Sequence, residues 1–399
     1  MLRIQRRTVA TGLTLAALMA LAPLARAEDK DEEMLKKGVA FLVKAQAEDG
    51  SYGGPPGKPG EIGFTALIAR GLAEYVAAHP KGSEAEAKSK DKAIAWLLKQ
   101  QKADGSFTSD GTLTTYRTGT AVLALAADDR AKHKDAITKA EKYLESAQFC
   151  EENGKVGPDS PHYGGWGYDK TGTKPDADLS NAQFAIAALH EAGVGADSAV
   201  MKRALEFVSR CQNDTETNKG VKAAKLTPRN DGGLFYGPSR ATQAQTKVEN
   251  ADGTVSYESY ASMTYAGLLS MVASGLSKDD GRVKAALGWI KQHYTLDENS
   301  GLGVRATDPK QAQTGLYYYY FTFARALHAL GGDTVETKDG AKRWGQDLLD
   351  ALKARQKPDG SWVNDAEPRY MEGNPVLATA FAVNAANIAL KHRVDAPKK

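Results

Sequence analysis

The sequence predicts an all-α fold in which six helix-pair repeats close into an (α/α)6 toroid. Three observations support this prediction. A phrase recurs at helix ends, in which a Gln is followed three residues later by Asp-Gly and then by Ser and an aromatic residue. Apolar, nearly uncharged helices alternate with this phrase six times. Neither end of the array carries a polar capping helix, which an open solenoid would need, so we expect the rings to close.

The repeated phrase marks the end of each charged helix. Its glycine supplies the left-handed conformation that ends the helix. Its Gln can bond carbonyl groups left open at the helix end, and the aromatic ring can cover them. Three copies match closely and three are looser, and Tyr stands in place of Gln in one of them. The copies are centred on Gln46, Gln101, Gln148, Gln212, Tyr294 and Gln356.

The helices between the phrases are apolar on nearly every side. A helix with this pattern is buried in a soluble protein. We therefore expect an inner ring of six buried helices inside an outer ring of six half-buried ones. The inner helices are predicted from Gly63 to about Tyr75, Thr118 to Ala127, Leu179 to Leu189, Ala261 to Met271, Tyr317 to Leu330 and Val376 to Leu390.

The N-terminal segment has the pattern of an export signal. Arg6 and Arg7 precede an apolar run from Val9 to Leu24, and Ala25-Arg26-Ala27 offers a small-residue cleavage site. A membrane anchor is the alternative, although the run is short and rich in Ala. We divide the chain into a signal peptide at 1–27, a single toroid domain at 28–392 and a C-terminal tail at 393–399. This organisation predicts a periplasmic or secreted bacterial protein.

The charge balance argues against a nucleic-acid partner. The chain has 52 Lys and Arg against 49 Asp and Glu, and four of the Arg lie in the leader, so the remainder is nearly neutral. No stretch after the leader is long and apolar enough to span a membrane. We therefore expect no nucleic-acid binding and no stable membrane span.

The two cysteines leave two interpretations open. Cys150 and Cys211 fall at the ends of consecutive outer helices. An exported protein permits a disulfide between them, and two buried free thiols are the alternative. No suitably spaced His accompanies them, so they predict no zinc site. The sequence also lacks a Gly-x-Ser-x-Gly elbow, a His-Glu-x-x-His motif and a phosphate-binding loop, and we expect no cofactor and no metal.

Polar residues gather at the predicted starts of the inner helices, which would converge on one mouth if the rings close. Paired carboxylates there can hold one carboxyl protonated, and aromatic walls suit a cationic or extended apolar ligand. The candidate catalytic residues are Asp178, Asp176, Glu258 and His162. The candidate ligand-binding residues are Tyr116, Arg117, Trp166, Tyr257, Tyr260, Tyr317 and Tyr318, and Arg369 and Glu372 lie in the same region.

Each candidate also has a structural interpretation. Asp178 precedes an apolar run, where an N-cap is expected, and the two roles can coexist. The tyrosine run at 317–319 can simply pack in an inner helix, with its hydroxyls bonded across the ring. Glu258 can pair with Arg117. His162 lies in a loop and can be a surface side chain rather than a base.

The phrase resembles the QW-type repeat of squalene–hopene cyclases and the related repeat of protein prenyltransferase β-subunits. The resemblance to this prenyltransferase/squalene oxidase repeat family covers most of 33–392 and implies a toroid with a central cavity rimmed by loops. Class II terpene cyclases protonate an alkene with an Asp-x-Asp-Asp motif that opens a buried inner helix. Here Asp176-Ala177-Asp178-Leu179 stands at that place. The resemblance implies Asp178 as the acid and Asp176 as its partner, with Leu179 replacing the last Asp.

Three functions follow as hypotheses. The first is an exported terpene (squalene) cyclase-like enzyme, or a degenerate relative, with a central cavity for an apolar, isoprenoid-type small molecule. The second is a non-catalytic binding or scaffold toroid, suggested by the missing last Asp and the single domain. The third is an extracytoplasmic polysaccharide lyase or hydrolase that uses Arg117, Glu258 and the tyrosines.

Overall fold

The computed structural model describes residues 30–53, 60–168, 175–242, 245–304 and 308–393. The predicted signal peptide and all but the first residue of the predicted tail lie outside these ranges. The described helices are α1 (30–44), α2 (Ile62–Ala78), α3 (Glu84–Leu98), α4 (Thr114–Asp129), α5 (Lys134–Ala147), α6 (Leu179–Ala192), α7 (Ala199–Arg210), α8 (Val221–Ala224), α9 (Ala261–Ala273), α10 (Gly281–His293), α11 (Leu316–Leu330), α12 (Trp344–Arg355) and α13 (Pro375–Ala389).

Two small hairpins and three 3₁₀ turns complete the described elements. The first hairpin joins β1 (Lys247–Glu249) to β2 (Val255–Tyr257), and the second joins β3 (Val335–Thr337) to β4 (Gly340–Lys342); both are antiparallel. The 3₁₀ turns are Pro309–Gln313, Arg369–Met371 and Leu390–His392. These elements lie in the connections, so the core of the molecule is helical.

The apolar helices α2, α4, α6, α9, α11 and α13 form the inner ring. Each of them packs against the next, and α13 packs against α2. Asn384 and Asn387 of α13 seal that last contact, because their side-chain amides donate to the carbonyls of Leu67 and Gly71 at 2.9 Å. The ring is closed, and the predicted all-α toroid is confirmed.

The charged helices α1, α3, α5, α7, α10 and α12 lie outside this ring. Each repeat Gln joins its own loop to the next outer helix. Gln101 Nε2 donates to the Gly105 carbonyl at 3.1 Å and to the Ala136 carbonyl of α5 at 2.8 Å. Gln356 Nε2 donates to the Gly360 carbonyl at 3.0 Å and to the Met34 carbonyl of α1 at 2.8 Å. The Gln therefore links repeats, whereas the sequence predicted only that it satisfies its own helix end.

The looser copies use the same device. Gln148 bonds the Val200 carbonyl of α7, and Gln212 bonds the Arg282 carbonyl of α10, both at 2.9 Å. In the copy that lacks Gln, the Tyr294 hydroxyl donates to Asp347 of α12 at 2.8 Å. A side chain at this position thus joins its repeat to the next one in these copies as well.

One helix start differs from the prediction and affects the site. The sequence placed the start of the second inner helix at Thr118, but α4 begins at Thr114, after Leu113 in a left-handed conformation (φ 50°). Leu113 makes no side-chain hydrogen bond to this helix end. The sequence therefore lacks the Ser, Thr, Asp or Asn cap that usually marks the start of a helix. Tyr116 and Arg117 therefore lie in the first turn of the helix rather than ahead of it.

Both cysteines are free and buried. Of the two open interpretations, the structure shows the buried thiols. Burial raises the pKa of the Cys211 thiol well above its usual range, which keeps this thiol protonated. None of the helices in the described ranges is long and apolar enough to cross a membrane.

Candidate functional site

A cavity of about 440 Å³ opens at the N-terminal end of the inner ring. All six inner helices, or the residues just before them, contribute to its wall. The wall is largely apolar, because the first two turns of these helices carry aromatic and aliphatic residues. The largest lining side chains are Phe64, Tyr116, Tyr168, Phe184, Tyr236, Tyr260, Met263, Leu302, Tyr318, Tyr370, Met371, Leu377 and Phe381.

Part of the predicted site lines this cavity. Tyr116, Tyr260 and Tyr318 do so directly, each at or near the first turn of its helix. The remaining predicted residues lie outside the lining, and several of them support it from behind. These residues are Asp176, Asp178, Arg117, Glu258, His162, Trp166, Tyr257 and Tyr317.

Asp178 is fully buried and caps α6. Its Oδ1 accepts the Asn181 backbone N–H at 2.8 Å, and its Oδ2 accepts the Asn181 amide at 2.9 Å. Arg240 Nη2 also donates to Oδ2, at 3.1 Å. Burial raises the pKa of the Asp178 carboxyl, and these donors oppose that rise because they favour the charged form. Asp178 is thus the predicted N-cap of α6. It lies behind Asn181, which lines the cavity.

Arg240 joins the two predicted aspartates to the cavity wall. Its Nε lies 3.1 Å from Asp176 Oδ1, while its Nη2 holds Asp178. The guanidinium carbon lies 5.1 Å from the ring centre of Tyr236 and 5.9 Å from that of Tyr168. The two hydroxyls of these tyrosines are 3.2 Å apart. The sequence reasoning missed Arg240, whose only signal was its place in a long polar connector.

His162 supports the aspartate segment from below. Its Nδ1 accepts the backbone N–H of Ala177 at 3.0 Å, so its proton is on Nε2, which lies 3.2 Å from Ser239 Oγ. Burial lowers the pKa of the His162 ring. The interpretation of His162 as a surface side chain is wrong, because the loop folds its ring under residues 176–178.

The suggested pairing of Glu258 with Arg117 is also wrong. Glu258 Oε1 pairs with Arg229 Nη1 at 2.8 Å, within the same connector. Arg117 Nε pairs with Glu61 Oε1 at 2.8 Å, and its Nη1 pairs with Asp110 at 2.6 Å. The early start of α4 turns Arg117 toward the cap of α2, away from Glu258.

Three further candidates are packing residues in this structure. Trp166 is fully buried, and its indole N–H donates to the Leu144 carbonyl at 2.8 Å. Tyr257 packs against Phe235 in a small satellite core, with tilted rings whose centres are 5.3 Å apart. Tyr317 packs edge-on against Tyr320, at 5.8 Å between ring centres. For Tyr317, this is the packing arrangement that the sequence offered as its structural interpretation.

Among the described residues, Glu61 and Glu372 bring carboxyl groups to the lining of the cavity. Glu61 caps α2, where it accepts the Phe64 N–H at 2.8 Å. Glu372 accepts the Tyr318 N–H at the start of α11 at 2.8 Å and the Asn364 amide at 2.9 Å. Burial raises the pKa of the Glu372 carboxyl to about 7. Glu61 was missed from sequence, because Glu is not among the residues usually preferred at a helix N-cap.

The described residues contain no group of three or more His, Cys, Asp or Glu arranged to hold a metal ion. A second cleft, about 570 Å³ in volume, lies between the 213–232 loop and α10. It is polar and open, and it has no contribution from the inner helices. Of these two cavities, only the aromatic one is lined by residues of the inner helices.

Comparison with known families agrees with this architecture. Residues 63–228 match the family model described as the squalene-hopene cyclase C-terminal domain. The matched segment runs from the first inner helix through Asp176 and Asp178. It confirms the predicted resemblance to squalene cyclase-like proteins. A search among curated proteins gave no significant match.

Solved structures share the whole fold. The apo type II terpene cyclase MstE from Scytonema is 15% identical, with a TM-score of 0.51, and the match covers 92% of this chain and 100% of that one. An MstE variant in complex with geranylgeranyl dihydroxybenzoate, its substrate, is 16% identical, with a TM-score of 0.51 and coverages of 91% and 98%. A protein from Actinoplanes is 13% identical, with a TM-score of 0.50 and coverages of 90% and 99%. These likenesses establish a terpene cyclase-like toroid.

Proposed function

We propose that this protein binds an isoprenoid-type molecule in the aromatic cavity and acts on it as a type II terpene cyclase-like enzyme. The observation that carries the proposal is the cavity itself, built from the starts of all six inner helices and walled by aromatic rings. Such rings exclude water and stabilise positive charge on a ligand, both of which a carbocation reaction requires. A volume of about 440 Å³ lies in the range of small-molecule sites.

The acid in this reaction is a separate part of the proposal. Asp178 with Asp176 as its partner remains the prediction drawn from the motif. Because a carboxylate paired with a guanidinium has no proton to give, this role requires Arg240 to release Asp178. The paired state in the structure supports a second candidate function, a toroid that binds an isoprenoid without converting it.

The polysaccharide hypothesis receives no such support. Its catalytic set was Arg117, Glu258 and the tyrosines. Arg117 is held by Glu61 and Asp110, Glu258 is held by Arg229, and the tyrosines that line the cavity do so among apolar groups. A charged sugar polymer needs a predominantly polar site, whereas this wall is largely apolar.

One expression experiment tests both function and export. The full chain would be produced with its leader in a bacterium that makes isoprenoids. The mass of the purified protein should show cleavage after Ala27, and extraction should release a polyprenyl or terpenoid compound. Incubation with squalene, or with an aromatic acceptor that carries a geranylgeranyl chain, should give a cyclic product with the mass of its substrate.

The possible results separate the two candidate functions. A retained isoprenoid without any product would favour the binding toroid. If the protein retains no isoprenoid and forms no product, the proposal is contradicted. An uncleaved protein in the cytoplasm would contradict export alone.

A further inference from the structure

In the part of the chain that the structure describes, the carboxyl groups of Glu61, Asp178 and Glu372 each bond a backbone N–H at the start of an inner helix, and their other neighbours differ. Glu61 at α2 pairs with Arg117 at 2.8 Å, and Asp178 at α6 pairs with Arg240 at 3.1 Å. Glu372 at α11 has no Lys, Arg or His within ion-pair distance among the described residues. Of the two carboxyls that line the cavity, Glu372 is therefore the one without a cationic partner.

Neutral donors hold Glu372 in place. Its side chain is 1% exposed. Oε1 accepts the Tyr318 backbone N–H at 2.8 Å, and Oε2 accepts the Asn364 amide at 2.9 Å. Asn364 is itself fixed, because the same amide donates to the Gln313 carbonyl at 2.7 Å. A buried carboxyl with neutral partners keeps its proton more readily than one paired with a guanidinium, and burial raises the pKa of Glu372 to about 7.

The backbone that delivers Glu372 is strained. Tyr370 and Met371 adopt left-handed conformations, with φ of 55° and 66°. This costs a non-glycine residue roughly 1–2 kcal/mol. Their side chains line the cavity and are 51% and 59% exposed. Strain of this kind persists where the surrounding structure fixes it, commonly at functional sites. Here it turns the Glu372 side chain back toward α11, beneath the mouth.

We propose that Glu372 is a catalytic acid of this cavity, giving a proton to a carbon–carbon double bond of the bound isoprenoid. This inference rests on the proposed function. The π electrons of the alkene form the new C–H bond, the O–H bond of Glu372 breaks, and a tertiary carbocation and a carboxylate result. The next double bond of the chain attacks the cation and closes a ring.

The same surroundings favour both products of proton transfer. The Tyr318 N–H and the Asn364 amide stabilise the carboxylate as it forms, and the aromatic wall stabilises the cation. Loss of a proton from a carbon beside the cation to water restores an alkene, and water reprotonates Glu372. Product and substrate are then isomers, and the reaction needs no oxidant or reductant.

The other titratable groups near Glu372 are neutral phenols or charged groups that contact residues other than Glu372. On α11, burial raises the pKa of the phenols of Tyr317, Tyr318 and Tyr320, which stay neutral. On α12, Arg355 lies over the ring of Tyr320. On the loop of Glu372 itself, Glu367 pairs with Arg369 and Asp365 pairs with Lys357.

The test compares initial rates of formation of the isomeric product for the wild type, Glu372→Gln, Glu372→Asp and Asp178→Asn. Glu336→Gln, an exposed position in β3, is the matched control. Loss of a general acid typically lowers a rate by about 10²–10⁴-fold. We expect Glu372→Gln to fall in that range while it still retains the isoprenoid. Glu372→Asp, which keeps the proton on a shorter arm, should recover part of the rate, and the rate of the wild type should fall as the pH rises above 7.

The outcomes distinguish the two proposals. Turnover by Glu372→Gln within about threefold of the wild type would overturn the role of Glu372 and leave the proposed function intact. If Asp178→Asn alone abolished turnover, the acid would be Asp178. Absence of turnover by the wild type would end both proposals. Unfolding curves show whether Glu372→Gln folds, and if it does not, Glu372→Asp carries the test.

Discussion

At the scale of single residues, the charge state of a carboxyl group depends on its neighbours. Asp178 and Glu372 are both buried at inner-helix starts, and burial raises the pKa of each. At Asp178 the two Asn181 donors and the Arg240 guanidinium oppose that rise in pKa, whereas at Glu372 the donors that oppose it are all neutral. Two carboxyl groups of similar chemistry therefore stand in different electrostatic surroundings.

Glu372 should make the stability of the protein depend on pH. Its pKa is about 7 in the folded protein, against an ordinary value of 4.5. Because the folded state holds a proton that the unfolded chain releases, this stabilisation is complete below pH 4.5 and is lost as the pH rises to 7. We expect the free energy of unfolding of the wild type to fall, relative to Glu372→Gln, by on the order of 3 kcal/mol across that window.

Urea unfolding of both proteins at several pH values between 4 and 8 measures this difference. Use of the difference removes the contribution of His162, His293 and His328, whose pKa values are lowered by desolvation and act in the opposite direction. Two parallel stability curves would show that Glu372 does not hold its proton in the folded state.

The sequence predicts some of these residues and not others. Asp178 was recognisable because a cap and its helix are adjacent in sequence. Arg240 is 62 positions away from Asp178, and no local pattern marks it. The wall residue Tyr370 depends on a left-handed backbone, for which its sequence gives no signal. Contacts between distant residues decide the site, so only its locally encoded part could be predicted.

At the scale of elements, the Asp-Gly turn controls how closely successive outer helices approach. Gly105 has a φ of +90°, and a Cβ added there would lie 2.1 Å from the Lys139 carbonyl oxygen of α5. The turn thus does more than end its helix, because the bare Cα lets the next helix lie directly against it. The sequence predicted the turn but not this contact.

Gly105→Ala should therefore destabilise the protein more than a comparable change nearby. Gly111 is the matched control, since its φ is +79° and an added Cβ would meet nothing within 4 Å. Gly111→Ala should cost roughly 1–2 kcal/mol from backbone strain alone. Gly105→Ala adds a steric clash with backbone and should cost about 1–3 kcal/mol more.

Thermal or urea unfolding of the two alanine variants measures that difference. Equal losses would mean that α5 shifts away at no cost and that the close contact does not stabilise the ring.

At the scale of the whole molecule, the last repeat contacts the first. Gln356 bonds the Met34 carbonyl of α1, as Gln101 bonds Ala136 of α5. Six alternating phrases in the sequence predicted the number of repeats, and the absence of polar caps predicted closure. The shape and depth of the cavity could not be predicted, because they depend on side chains from all six repeats.

Closure predicts that the ring-closing link is as important as an internal one. Gln356→Ala and Gln101→Ala each leave two carbonyl groups without their side-chain donor, and each should cost about 1–3 kcal/mol. In an open array the terminal link would matter less. Urea unfolding of the two variants tests this, and a negligible effect of Gln356→Ala beside a clear effect of Gln101→Ala would contradict a closed ring in solution.

The same link has a consequence for synthesis on the ribosome. Gln356 and Met34 are 322 positions apart. Helix α1 therefore cannot contact the last repeat until nearly the whole chain has been synthesised. Early repeats can pack on one another as they emerge, because their contacts are local. The unpaired side of the first repeat remains an apolar seam during that time. A closed ring therefore requires that this seam be protected from aggregation until the sixth repeat has been synthesised.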